Sequence, residues 1–167
     1  MAEKTSTVTE KTHRYLTFSL KDELYGIGIE NVKEIIAMMD ITDVPKTPEY
    51  VKGVMNLRGH IIPVIDMRTK FDMPYQEPEM YTAIIIVTIH NASIGFIVDS
   101  VEEVTQIKEE SLSEAPNFGS GIDTSFISQM AQSDKGVIML LDLEMIFEIE
   151  ELDSIKKMNT QAEKESA

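Results

Sequence analysis

Five apolar residues stand in an unbroken row at Ala83-Ile84-Ile85-Ile86-Val87. An antiparallel strand with one wetted face alternates apolar with polar side chains, and this strand-sized run does not alternate, so both of its faces are covered. In a chain of 167 residues the second cover is another barrel of the same fold or a bound partner. Burial between two barrels is the simpler reading, and a partner-lined groove at their junction is compatible with it.

The rest of the chain reads as short strands separated by turn signals. Tyr15–Leu20 and Leu24–Ile29 form a hairpin around Lys21-Asp22-Glu23. Asn31 to Met38 is expected to be a short helix capped by Asn31, with Val32, Ile35 and Ile36 on one face. Thr47-Pro48-Glu49 has the form of a second helix start. The turn Arg58-Gly59-His60 leads into the strand Ile61–Ile65, where Pro63 lacks an amide donor and predicts an edge or a bulge. Thr82–Ile89 and Ile94–Val98 pair across His90–Ser93, and Val101–Ile107 follows. After a loop from Ser111 to Gly121 come strands at Ile122–Met130 and Val137–Leu141, and then a helix from Leu143 to about Leu152 capped by Asp142. The outline is all-β with short helices: two small β-barrels in tandem, sharing a core, plus a C-terminal helix. The expected organisation is a flexible tail over 1–12, a domain over 13–152 dividing near 70/71, and a flexible tail over 153–167.

Composition narrows the function. Fifteen Lys and Arg against 29 Asp and Glu give a net charge of -14, a field that repels phosphate backbones and argues against nucleic acid. There is no cysteine, which removes disulfides, thiolate metal sites and cysteine nucleophiles. The polar stretch Met1–Thr12 has no secretory h-region, and apolar runs reach only strand length, so a cytoplasmic protein without membrane insertion is expected. His13, His60 and His90 are scattered, and no metal or other cofactor is expected. Asp66, Asp99 and Asp142 each close an apolar run. Aspartate there starts a turn or caps a helix more readily than it builds a hydrolytic site. Asp123-Thr124-Ser125 is similar to an aspartic-protease signature, but that chemistry needs a second carboxylate from a second copy. A small carboxylate hydrolase using Asp66 or Asp123, and a small-molecule carrier, are the alternatives to a non-catalytic binding module. Six of the eleven methionines fall between Met38 and Met80. Met38 and Met39 are adjacent and cannot both point inward from a regular element, so one of them is expected at the surface near Ile41.

Tyr50-Val51-Lys52-Gly53-Val54-Met55-Asn56-Leu57-Arg58-Gly59, followed by Ile61-Ile62-Pro63-Val64-Ile65-Asp66-Met67, resembles the CheW family of bacterial chemotaxis coupling proteins. Tyr25–Ile29, Val32–Ile35, Pro45–Pro48 and Ile94–Val101 fit the same pattern in order, so the resemblance runs from about Tyr15 to Glu150. It implies two five-stranded SH3-like barrels without enzymatic activity, bridging the cytoplasmic tips of methyl-accepting chemoreceptors to the regulatory domain of the histidine kinase CheA. The implied setting is the cytoplasmic side of the membrane-associated receptor array. Carried onto this sequence, the receptor groove or its support involves Val32, Gly53, Arg58, Gly59, Ile84, Val101 and Val104, and Glu34 pairs with Arg58. Met38, Met39, Ile41 and Thr42 are the expected kinase-facing residues. The length leaves no room for a kinase or phosphoacceptor domain, so the stand-alone coupler is expected.

Overall fold

The computed structural model describes residues 12–115 and 125–166, with side chains through 159. The hairpin of β1 (Thr12–Leu20) and β2 (Glu23–Gly28) turns at Lys21 and Asp22, whose φ values of 50° and 67° are both left-handed. Two such residues in succession match the right-handed twist of the flanking strands. A 3-10 turn at Ile29–Asn31 then leads to β3 (Val32–Ala37), β4 (Val51–Leu57), β5 (His60–Asp66) and the one-turn helix α1 (Met67–Lys70). β6 (Ala83–Ile89), β7 (Ala92–Val98), β8 (Ser100–Lys108), β9 (Leu112–Glu114), β10 (Ile127–Ser133) and β11 (Gly136–Leu141) follow. The chain ends in α2 (Leu143–Ile146) and α3 (Ile149–Ser166).

These strands form the expected all-β, two-barrel architecture. One sheet has six strands in the order β8-β1-β2-β11-β10-β9, and the other has five in the order β3-β6-β7-β5-β4. The five-stranded sheet is closed by a backbone bridge in which Thr42 N–H donates to the Val54 carbonyl and Val54 N–H to the Thr42 carbonyl, both at 2.8 Å. The barrels do not divide the sequence near 70/71. Residues 32–98 make the five-stranded barrel, while β1 and β2 join β8–β11 in the other, with β2 parallel to β11 through Ile138↔Leu24 and Leu140↔Gly26.

Several local expectations are corrected. Asn31–Met38 is not a helix: Val32–Ala37 is strand β3, paired antiparallel with β6 from Val32↔Val87 to Ala37↔Ala83. Tertiary pairing of β-branched residues overrides their helix-like spacing. Thr47-Pro48 starts no helix: Thr47 Oγ1 donates to the Val44 carbonyl, and the Pro48 carbonyl accepts from Val51 N–H. Pro63 lies in an interior strand, and the nearby bulge falls between Val51 and Gly53 instead. It is tolerated because its partner Val54 turns both backbone groups toward Thr42, leaving Pro63 in a non-bonded pair. Registered pairing with β7 begins one residue later, at Val64↔Gly95. The expected Ser111–Gly121 loop begins with the last residue of a 3-10 turn, Glu109–Ser111, followed by strand β9, and the strand expected from Ile122 begins at Ile127. Residues 116–124, including Asp123 and Thr124, lie outside the described residues, as do residues 1–11 of the expected 1–12 tail, whose last residue, Thr12, opens β1. Within the expected tail over 153–167, residues 153–166 are not unstructured: α3 continues through Ser166, with Ile155 buried.

The doubly covered strand is present. On β6, Ile85 and Val87 face a core shared by both sheets and α2–α3, whereas Ile84 and Ile86 face the interior of the five-stranded barrel with Met55, Ile62 and Val64. Ile84 therefore belongs to its own barrel's core, not to the junction between barrels.

The aspartates at the strand ends hold structure. Asp66 and Asp142 accept from the N–H groups of Arg68 and Glu144, at 3.1 Å each. Asp99 receives Arg68 in a fork, at 2.7 Å from Nε and 2.6 Å from Nη2, and also Lys21 N–H at 2.8 Å. At the start of α3, Glu151 accepts from Tyr50 Oη at 2.6 Å, Glu148 N–H at 2.8 Å and Lys70 Nζ at 3.4 Å. Partial burial opposes ionisation of both carboxylates, but Arg68 and Lys21 N–H at Asp99, and Glu148 N–H, Tyr50 and Lys70 at Glu151, outweigh it. Both groups titrate below their ordinary values. Their stabilisation is present above the unfolded-state values near pH 4 and is lost as pH falls through the depressed folded-state values. Thermal melts between about pH 5 and pH 2 are expected to fall more gently in Asp99→Asn and Glu151→Gln than in the parent; parallel pH profiles would contradict this.

Candidate functional site

One end of the five-stranded barrel opens into a cleft of about 600 Å³. Its floor is apolar, from Ile62 of β5 and Ile86 of β6, and its rim is polar, with Lys33 and Glu34 of β3, Arg58 at the β4–β5 turn, and Asn159 of α3. The turn itself is built for presentation. Arg58 and Gly59 have φ values of 54° and 91°, and Asn56 Oδ1 accepts from Gly59 N–H at 2.8 Å. A left-handed Arg58 in this hairpin aims its side chain back across the barrel mouth, where Nη2 is bonded to Glu34 Oε1. The expected pair is therefore formed, with Glu34 on a strand rather than a helix.

The other side of β3 carries a feature that helical reading concealed. Ile35 pairs with Ile85, and Val104 on β8 pairs with Leu16; both partners are buried in the shared core. Side chains of opposed residues project from the same face of a sheet, so Ile35 and Val104 also point to that side. Yet β3 and β8 are edge strands, and the two residues remain 44% and 49% exposed. Val32 and Val101 are partly buried against the same core. Ile35 was missing from the expected site; its period-two placement beside Glu34 was the available signal.

Other expected residues have different positions. Ile84 is fully buried and can support a surface but cannot touch a partner. Gly53, at φ 146°, packs against the Thr42 carbonyl, and a Cβ there would collide with it. Met38, Met39 and Ile41 are all half-buried against the five-stranded barrel's core, so neither methionine stands out at the surface as expected. They belong to an irregular link, where strand alternation does not operate. Thr42 closes the barrel through its backbone and exposes its side chain. No helix among the described residues is long and apolar enough to cross a membrane.

Comparison with known proteins gives the same picture over nearly the whole chain. The profile of the CheW-like domain matches residues 14–151. The chain is 33% identical over 138 residues to the chemotaxis protein CheW of Klebsiella aerogenes, covering 83% of each. It is 28% identical over 155 residues to that of Treponema pallidum, covering 90% of this chain and 91% of the other. The crystal structure of the scaffolding protein TtCheW from Thermoanaerobacter tengcongensis superposes with a TM-score of 0.76 at 38% identity, over 84% of this chain and 96% of that one. With both barrels and the Asn56-Leu57-Arg58-Gly59 turn inside the matched stretch, the chain belongs to the CheW-like family.

Proposed function

We propose that this protein is a chemotaxis adaptor that joins cytoplasmic chemoreceptor tips to the regulatory domain of the histidine kinase CheA, at the cytoplasmic face of the receptor array. The observation that carries the reading is the Glu34–Arg58 pair. Its guanidinium is two-thirds exposed and sits on a left-handed turn residue. An ion pair this open to water adds little to stability, so the fold has little need of it. What the pair does fix is the shape and charge of the rim that a partner meets, because the bond from Arg58 Nη2 to Glu34 Oε1 ties the turn to β3. The apolar edge-strand residues Val32, Ile35, Val101 and Val104 suit the receptor's helical tip, while Ile84 supports β6 from the barrel interior and Gly53 and Gly59 shape the backbone of β4 and of the Arg58 turn. Met38, Met39, Ile41 and Thr42 remain the proposed kinase-facing surface.

Arg58→Ala and Glu34→Ala are each expected to melt close to the parent and to bind a receptor-tip fragment or the CheA regulatory domain more weakly. Titration calorimetry on both single mutants and the double mutant should give losses that are less than additive, since either change breaks the same pair. Fully additive losses, or unchanged binding in both single mutants, would remove the pair from the docking surface.

A further inference from the structure

Helices α2 and α3 do not run into one another, because Phe147 between them is extended, at φ -114° and ψ 147°. Phe147 and Leu152 are buried in the shared core, and they floor an open groove of about 450 Å³ beside the two helices. Met145 of α2 and Ile149 at the start of α3 line the same groove and stay 50% and 89% exposed. A side chain that lies almost wholly in water gains little from burial, so the fold does not account for an isoleucine at position 149. Together with its buried floor the pair makes a continuous apolar patch, the kind of surface that marks an interaction site. The groove shares no lining residue with the Glu34–Arg58 cleft, and none of the residues proposed above to face receptor or kinase lies in it.

Charge selects the occupant. From Asp142 to Asp153 the chain carries six acidic residues and no lysine or arginine. Glu144, Glu150 and Asp153 rim the groove itself. Positive groups beside them are few: Lys156 also lines the groove, Lys157 Nζ lies 3.7 Å from Asp153 Oδ2, and His90 Nε2 lies 3.4 Å from Glu144 Oε1. The last two are open to solvent and weakly held, so the rim keeps its acidic field. A second copy of this chain would set that field against itself, and an anionic bilayer would be repelled by it. A protein segment with an apolar face and basic flanks complements both the floor and the rim. We propose that the α2–α3 groove docks a basic amphipathic helix of a partner protein, which sets an apolar side chain between Met145 and Ile149 and lysine or arginine against Glu144, Glu150 and Asp153. This surface is separate from the proposed coupling residues and does not depend on them.

The test titrates the full chain, with isotope-labelled methionine methyls, with a synthetic amphipathic helix of leucine and lysine about 18 residues long. The Met145 methyl resonance should shift and saturate, while those of the buried Met55 and Met67 hold still. Met145→Ser with Ile149→Ser should melt with the parent, since both side chains are exposed, and weaken peptide binding by about tenfold. Glu144→Gln, Glu150→Gln and Asp153→Asn together should weaken it by a similar factor and flatten its dependence on salt. Glu109→Gln with Glu110→Gln, in the 3-10 turn before β9, should bind as the parent does. Unchanged affinity in the Met145 and Ile149 variant, or equal binding by a peptide with alanine in place of leucine, would reduce the effect to bulk charge attraction and overturn the site. Equal loss in the Glu109 and Glu110 variant would do the same. A dimer of the free chain that dissociates in the Met145 and Ile149 variant would make the occupant a second copy, and phosphatidylserine vesicle binding lost in that variant would make it a membrane. Either result would overturn the proposal.

Discussion

Ile84→Asp is expected to abolish the cooperative fold at ordinary temperature. Ile84 has no exposed surface, and its Cγ2 methyl lies so close over Gly95 that a Cβ added there would come within 2.9 Å of it. The neighbours facing it are Met55, Ile62, Val64 and Ile86, none of which can donate a hydrogen bond. Loss of the isoleucine contacts alone costs about 2–5 kcal/mol by analogy with large-to-small core changes. A carboxylate must then either ionise unpaired or stay protonated and unbonded, which adds several kcal/mol more. Together these approach the roughly 5–15 kcal/mol that holds a domain of this kind. Circular dichroism melts should show no transition, or one far below the parent's. A melt within error of the parent's would mean that the interior of the five-stranded barrel is not packed as described.

The second large effect is expected at Gly53 and is best read against Gly59. Both have left-handed φ values, 146° and 91°, so alanine meets backbone strain at either position. They differ in what a side chain would touch. At Gly59 there is open space, whereas at Gly53 a Cβ runs into the Thr42 backbone carbonyl that closes the barrel. Gly59→Ala should therefore cost only about 1–2 kcal/mol, and Gly53→Ala on the order of 3 kcal/mol or more, because the closing bridge must break or shift. Denaturant unfolding of the two variants checks the ordering. Equal losses would show that φ strain alone sets the cost and that the Thr42–Val54 contact gives way freely.

What the sequence disclosed and what it hid divide along physical lines. The β1–β2 and β6–β7 hairpins were legible because their strands are adjacent in the chain and punctuated by polar turns. The double cover of β6 was legible because a strand without alternation has no wet face. Strand β3 was misread because Val32, Ile35 and Ile36 have the spacing of a helical face, and only the ladder to β6, about fifty residues away in sequence, decides between the two periods. The same non-locality hid the exchange of β1 and β2 into the other barrel, since parallel pairing of β2 with β11 leaves no local mark. Helix α3 was expected to stop near Leu152 because beyond that point its apolar anchors are few and its sequence is mostly polar. At the site, the Glu34–Arg58 contact followed from family resemblance. Ile35 did not, because its importance comes from an edge strand that only the folded chain defines.

The claim that this protein is a coupling adaptor requires that it hold two partners at once. Mixing it with a receptor-tip fragment and the CheA regulatory domain, followed by size-exclusion chromatography with light scattering, tests this most directly. The account predicts a peak with the mass of a complex containing all three, diminished when the protein carries Arg58→Ala. Binding to neither partner, or binding in which one partner displaces the other, would contradict it.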